Sequence, residues 1–150
     1  MTDRATDAAT AGPGGGVVTA PADHPREGWD DPVRGQLSWS LLLEGPGWTG
    51  SGPTAVGLAE LGTDGWLGLH RHSAPELYHV VAGRVVISID GDEQEAGPGA
   101  VVAVPADAEH GIRALGPEPA RFLFVFPHHH FADVTYRFSA EEAEHDEERA

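Results

Sequence analysis

The sequence contains no cysteine among its 150 residues. This absence excludes disulfide bonds, thiolate zinc sites, iron–sulfur clusters and any cysteine nucleophile. A metal ion bound to this chain must therefore be held by nitrogen and oxygen ligands.

Long apolar runs and an excess of positive charge are also missing. No stretch is long enough for a transmembrane helix, and residues 1–16 lack the apolar segment of a secretory signal. Nine Lys and Arg stand against 24 Asp and Glu, which gives a formal net charge of -15. Such a surface repels phosphate backbones. We therefore expect no nucleic-acid partner, no membrane contact and a cytoplasmic location.

Glycine and proline are abundant, with 20 and 12 copies, and indicate many turns and short strands. About eight strand-like runs follow one another closely, which is typical of a β-barrel or β-sandwich. The composition of residues 1–28 predicts a flexible, disordered N-terminal arm. We expect one all-β domain over residues 29–140, and then an acidic tail over residues 141–150 that is solvated or forms a short helix.

The strongest chemical signal is a group of three histidines and one glutamate. Alternate residues of a strand share a face, so His70 and His72 project in the same direction. Glu76 follows a proline-containing bend that can turn its carboxylate back toward them, and His110 follows a later strand and a proline turn. Three imidazoles and a carboxylate can hold one divalent transition metal ion, and they suit Fe, Mn, Co, Ni, Zn and Cu alike.

These residues resemble the two signature motifs of the cupin superfamily. The matching positions are His70, His72, Glu76 and Gly83 for the first motif, and Gly99, Pro105 and His110 for the second. The likeness covers about residues 65–114, extends through the flanking strands to about 36–138, and implies a single jelly-roll barrel with the ion near its mouth. Three positions depart from the pattern and leave the local turn geometry open: Gly65 is displaced by one, Asp107 replaces a glycine, and Ala114 replaces a frequent asparagine.

Tyr78 lies two residues beyond Glu76 and is therefore expected on the same interior face. The pattern His-x-His-x-x-x-Glu-x-Tyr, with His110 downstream, resembles the cupin lyases that cleave dimethylsulfoniopropionate. In that family the matching tyrosine is the base that removes the proton beside the carboxylate, so the resemblance implies Tyr78 as the catalytic base. A nearby divalent cation would favour the phenolate form. The alternative interpretation is an aromatic side chain that only lines the barrel.

Three classes of function remain at this point, and all take a small molecule. The favoured hypothesis is a metal-dependent lyase that performs β-elimination on a small organic acid, with the metal binding the substrate carboxylate as a Lewis acid. An Fe(II)-dependent dioxygenase, or another small-molecule-modifying cupin of secondary metabolism, would use the same ligands. A non-enzymatic cupin that binds a small molecule is the third class.

Other residues have no settled role. His128–His130 follow a proline and indicate a turn, either solvated or at the rim of a pocket. Tyr136 either lines the barrel or packs within it, and His79 alternates with Tyr78 and is expected to face away from the metal. By analogy with cupins that pair through their sheets, Trp39 and the run from Leu41 to Leu43 are candidate contacts of a homodimer.

Overall fold

Strands make up about half of residues 16–45 and 52–149, the parts of the chain that the computed structural model describes. The strands are β1 (Glu27–Asp31), β2 (Gly35–Glu44), β3 (Ala55–Leu61), β4 (Trp66–Arg71), β5 (Glu76–Ala82), β6 (Val85–Ile89), β7 (Asp92–Ala96), β8 (Val101–Val104), β9 (His110–Ala114), β10 (Ala120–Phe126) and β11 (Arg137–Phe138). Two 3₁₀ turns lie at Pro21–Asp23 and Phe131–Asp133, and helix α1 spans Ser139–Arg149. Of the helices in these residues, none has the length and apolar character needed to cross a membrane.

The strands form one curled sheet with the order β7-β6-β9-β4-β2-β3-β10-β5-β8, while β1 pairs with β2 and β11 with β4. Strands that follow one another in the chain are often not neighbours, because β10 lies between β3 and β5, and β9 lies between β6 and β4. Such crossovers are typical of a jelly roll. The all-β jelly-roll barrel that the sequence predicts is confirmed.

Alternation along the strands builds the interior. In β5, Glu76, Tyr78 and Val80 are buried, whereas the residues between them are less so. In β10 the residues that face inward are Ala120, Phe122, Phe124 and Phe126. The inner surface of the barrel is therefore rich in aromatic rings.

One glycine makes room for this aromatic interior. Gly57 of β3 is the cross-strand partner of Phe124. A Cβ atom at position 57 would collide with the Phe124 ring, so any larger residue there would displace the ring.

The chain termini differ in detail from the sequence-based expectation. Strand β1 starts at Glu27, which pairs with Trp39 of β2, so the ordered barrel begins before residue 29. Residues 1–15 of the expected arm lie outside the described residues. Helix α1 takes up most of the expected acidic tail, and its described side chains are exposed from Glu141 onward. The division into arm, barrel and tail stays a prediction.

The residues expected at a dimer contact lie mainly inside the barrel. Trp39 is 8% exposed, Leu41 is 2% exposed and Leu42 is 9% exposed. These three side chains pack in the protomer itself and so cannot provide the surface of an interface. Leu43, the remaining residue of the expected contact, is half-buried, and a homodimer stays a prediction.

Candidate metal centre and its cavity

Three strands bring the four expected ligands to one end of the barrel. His70 lies in β4 directly opposite His110, the first residue of β9. His72 follows the end of β4, and Glu76 is the first residue of β5. The short bend between β4 and β5 reverses the chain and places the carboxylate beside the imidazoles.

The four side chains meet in a buried cluster. Their nearest ligand atoms all lie within 4.8 Å of one another. The exposed fractions of His70, His72, Glu76 and His110 are 0%, 1%, 5% and 1%. Polar groups this deeply buried require partners, so the cluster has a strong need for a bound cation.

Backbone carbonyls orient the three imidazole rings. Nδ1 of His70 lies 2.7 Å from the Gly68 carbonyl oxygen, Nδ1 of His72 lies 2.8 Å from that of Ala74, and Nδ1 of His110 lies 2.9 Å from that of Ala108. Because a carbonyl oxygen can only accept, each Nδ1 carries the proton and donates it. Each Nε2 is left with a lone pair that points into the cluster, which is how metal-binding histidines are commonly held.

The contacts at the centre fit a metal ion. Glu76 Oε1 lies 3.2 Å from His72 Nε2 and 3.3 Å from His110 Nε2. With the protons on Nδ1, both Nε2 atoms are acceptors that face another acceptor, and His70 Nε2 has no hydrogen-bond partner at all. A divalent cation would satisfy all of these lone pairs at once, and the ligand set of nitrogen and carboxylate oxygen suits a transition metal.

The electrostatics favour the metal-binding forms of these side chains. Burial, reinforced by the neighbouring His110, lowers the pKa of His70 to about 3, so its imidazole is neutral at physiological pH. Burial alone would raise the pKa of Glu76, but the contacts with His110 and His72 outweigh burial and hold that pKa below its usual value. His70 therefore offers a neutral imidazole and Glu76 an ionised carboxylate, the forms in which both can bind a metal ion.

Asp107 joins the two ligand-bearing segments. Its backbone has φ 63, the left-handed conformation for which the cupin motif uses glycine and which aspartate tolerates better than most residues. Its N–H donates to the His72 carbonyl at 2.9 Å, and its carbonyl accepts from Arg71 at 3.0 Å. The departure from the motif therefore leaves the turn intact.

Tyr78 lies beside this cluster on the inner face of β5. It is 1% exposed, its hydroxyl has no hydrogen-bond partner, and its ring centroid lies 6.3 Å from that of His110. Burial, and then the negative charge of Glu76, raise the pKa of the phenol well above 10. The hydroxyl is thus a buried, unused polar group in the cavity that adjoins the cluster.

A second tyrosine, left undecided by the sequence, lies against the cluster. The Tyr136 ring stacks on His70 at 5.0 Å between centroids and meets His72 edge-on at 5.2 Å. It also lines the cavity that contains Glu76 and Tyr78. Tyr136 immediately precedes β11, the strand that pairs with β4, and this non-local pairing brings it to the site.

The cavity next to the cluster is mostly aromatic. Its volume is about 30 Å³, room for one or two water molecules. Its aromatic walls are Trp29, Trp39, Tyr78, Phe122, Phe124, Phe131 and Tyr136. Trp29 and Phe131 were not expected as wall residues from the sequence, although the alternation of β1 places Trp29 on the inner side.

The remaining histidines lie away from the cluster. His79 is on the opposite face of β5 from Tyr78, as alternation requires. His128–His130 precede the 3₁₀ turn after β10, and His130 Nδ1 lies 4.0 Å from Glu44 Oε2. Among the described residues, the group with metal-ligand geometry is made of His70, His72, Glu76 and His110 and includes none of these.

Acid is expected to destabilise the metal-free protein. Unfolded His70 takes up a proton near pH 6.5, whereas the folded residue does so only near pH 3. Between these values the unfolded state binds more protons than the folded state. Lowering the pH by one unit in this range therefore reduces the free energy of unfolding by up to about 1.4 kcal/mol through this residue alone. Above pH 6.5 this contribution does not change.

Urea unfolding of metal-free protein at about pH 7 and about pH 5 measures the loss of stability. The matched variant is His70→Gln, which has no titratable imidazole at this position. We expect a smaller loss in the variant than in the wild type, and equal losses would contradict the assignment to His70.

Comparison with known proteins agrees with this geometry. Residues 57–126 match the model of the cupin domain family. The chain is 38% identical over 118 residues to the dimethylsulfoniopropionate lyase DddW of Ruegeria pomeroyi, covering 77% of this chain and 75% of that protein.

Solved structures show the same fold at low sequence identity. The polyketide cyclase RemF from Streptomyces resistomycificus has a TM-score of 0.65 at 21% identity, over 80% of this chain and 82% of its own. A cupin-2 domain protein from Rhodospirillum rubrum has a TM-score of 0.65 at 20% identity, over 88% and 86% of the two chains. A structure from a study of two dimethylsulfoniopropionate lyases, RdDddP and RnDddQII, has a TM-score of 0.56 at 22% identity, over 80% and 58%. Together with the barrel and its four-residue cluster, these matches show that the chain belongs to the cupin superfamily and, within it, to a group similar to dimethylsulfoniopropionate lyase.

Proposed function

We propose that this protein is a metal-dependent lyase that performs a β-elimination on a small organic acid, with dimethylsulfoniopropionate as the best candidate substrate. The observation that carries the proposal is the placement of the buried Tyr78 hydroxyl on the same inner face as Glu76 and the three histidines. The 38% identity to a dimethylsulfoniopropionate lyase supports it.

The four clustered residues are the proposed ligands of one divalent transition metal ion. When bound, such an ion supplies Lewis-acid stabilisation of a substrate carboxylate and positive charge that favours the phenolate form of Tyr78. This charge matters because burial and Glu76 otherwise keep the phenol protonated.

Tyr78 is the proposed base of the reaction. Its oxygen takes the proton from the carbon beside the carboxylate, and the electrons of that C–H bond form the carbon–carbon double bond. The bond between the β carbon and sulfur breaks with both electrons going to sulfur, so neutral dimethyl sulfide leaves and acrylate remains. Release of the proton from Tyr78 to solvent restores the site.

The aromatic walls suit a substrate that carries a sulfonium cation. Trp29, Trp39 and Phe131 line the cavity, and aromatic rings attract cations through their electron-rich faces. Among the described lining residues Glu76 supplies the carboxylate, and the protein is strongly acidic, with a net charge of -15. A zwitterion with a positive outer end therefore meets a favourable field on its way to the site.

The test is a substrate assay with defined metals. Metal-free protein is loaded separately with Fe, Mn, Co, Ni, Zn or Cu and is given dimethylsulfoniopropionate with and without oxygen. We expect release of acrylate and dimethyl sulfide in equal amounts, with no need for oxygen. Oxygen consumption without elimination would favour the dioxygenase alternative, and no release with any of the metals would exclude this substrate.

A further inference from the structure

The segment from Pro127 to Asp133 forms part of the cavity wall. It connects β10 to the region of Tyr136 and carries Phe131 as the first residue of its 3₁₀ turn. The Phe131 ring packs against Trp39 and Phe124, with centroid distances of 6.2 Å and 5.7 Å, and faces the cavity. The position of this ring therefore helps to set the shape of the site.

Two side-chain hydrogen bonds tether the segment to the barrel. Thr54 Oγ1 donates to the Pro127 carbonyl at 2.8 Å, where the segment begins. The Phe131 N–H donates to Glu44 Oε2 at 2.6 Å, a short bond to a charged acceptor. The first N–H groups of a helical turn have no partner within the turn, so Glu44 satisfies a donor that would otherwise be unpaired.

We propose that Glu44 is a positioning residue that acts through Phe131 to hold the aromatic wall against the bound ligand. Glu44 ends β2, the strand that also carries Trp39, so a regular element of the barrel fixes the carboxylate. The Glu44 side chain is 23% exposed and is not part of the cavity lining, so its effect on a ligand passes through the backbone of Phe131. The identity of the ligand rests on the proposed function, whereas the tether itself does not.

The kinetic test compares variants of Glu44 and Phe131 in the metal-loaded protein. Glu44→Ala removes the acceptor, and we expect KM for dimethylsulfoniopropionate to rise about tenfold with kcat changed by less than about threefold, on the scale of one lost charged hydrogen bond. Glu44→Gln keeps an acceptor oxygen and is expected to remain within about twofold of wild type in KM. If the alanine variant does not fold, KM is measured instead in Glu44→Asp, whose carboxylate is one methylene further from the Phe131 amide. In the Phe131→Ala background, Glu44→Ala should add no further rise in KM, because the wall that it positions is already gone.

Glu60→Ala is the matched control. Glu60 lies on the neighbouring strand β3 and pairs with Arg26 and Arg121 outside the cavity. It should change thermal stability without changing KM. An equal KM in wild type and Glu44→Ala, or a KM effect that persists fully in the Phe131→Ala background, would overturn the proposal and leave Glu44 with a purely structural role.

A second measurement needs no substrate and separates this proposal from the proposed function. Hydrogen exchange of the Phe131 amide is followed by NMR in the zinc-loaded protein. We expect exchange to be at least about tenfold faster in Glu44→Ala than in wild type, and close to wild type in Glu44→Gln and Glu60→Ala. If no acrylate is released by any form, the proposed function fails. The exchange comparison still shows whether Glu44 holds the Phe131 amide. Unchanged exchange in Glu44→Ala would overturn the tether.

Discussion

Replacing Tyr78 by phenylalanine is expected to lower acrylate release by roughly two to four orders of magnitude, the usual scale of a lost general base. The substitution removes only a hydroxyl that has no hydrogen-bond partner. Glu76, whose contact with the hydroxyl helps to raise the phenol pKa, keeps its contacts with His72 and His110, so the fold and metal content should stay as in the wild type. Steady-state kinetics with dimethylsulfoniopropionate measure the turnover, metal analysis measures the metal content, and a melting curve reports on the fold.

Tyr136→Phe is the matched comparison, since the sequence has two tyrosines and both line the cavity. Full activity in Tyr78→Phe would exclude Tyr78 as the base whatever the substrate is. If Tyr136→Phe alone abolished turnover, the base would have to be the phenol that stacks on His70.

Replacing His110 by alanine is expected to abolish metal binding, with the bound metal falling from about one ion per chain to less than about a tenth. His110 is buried and supplies one of four convergent ligand atoms, and its loss also leaves Glu76 in a less compensated buried position. Loss of metal should remove the activity with it. Elemental analysis of the purified variant after metal loading and gel filtration measures the outcome.

His79→Ala is the control for this experiment. It removes an imidazole from β5, the strand that carries Glu76, but from the opposite face. It should keep the metal and the activity. Equal metal content in His110→Ala and the wild type would contradict the proposed ligand set, and equal loss in both variants would indicate a general effect of folding.

Much of the barrel could be predicted from local patterns. About eight strand-like runs could be recognised from the sequence, and alternation placed Tyr78 on the inner face with Glu76, because side chains of a strand alternate between its two sides. Alternation says nothing about which strand lies beside which, and so the run in β2 that contains Trp39 and Leu41 was taken for an exposed contact. Its pairing with both β1 and β3 makes it a central core strand.

The ligand types and their spacing were determined by the sequence alone. The absence of cysteine restricted any metal to nitrogen and oxygen ligands, and the short separation of His70, His72 and Glu76 required them to share one face and one bend. These are local constraints, since the chain has little freedom over a few residues. The sequence therefore pointed to a metal-binding barrel and to Tyr78 beside its ligands.

Only the tertiary structure decided what surrounds those residues. The pairing of β4 with β9 places His110 opposite His70, and the pairing of β11 with β4 places Tyr136 over the imidazoles. Trp29 from β1 and Phe131 from the segment after β10 complete the cavity. Such contacts depend on strand register and on how distant segments pack, which no local pattern encodes, because the energy that selects them arises only when the whole barrel closes.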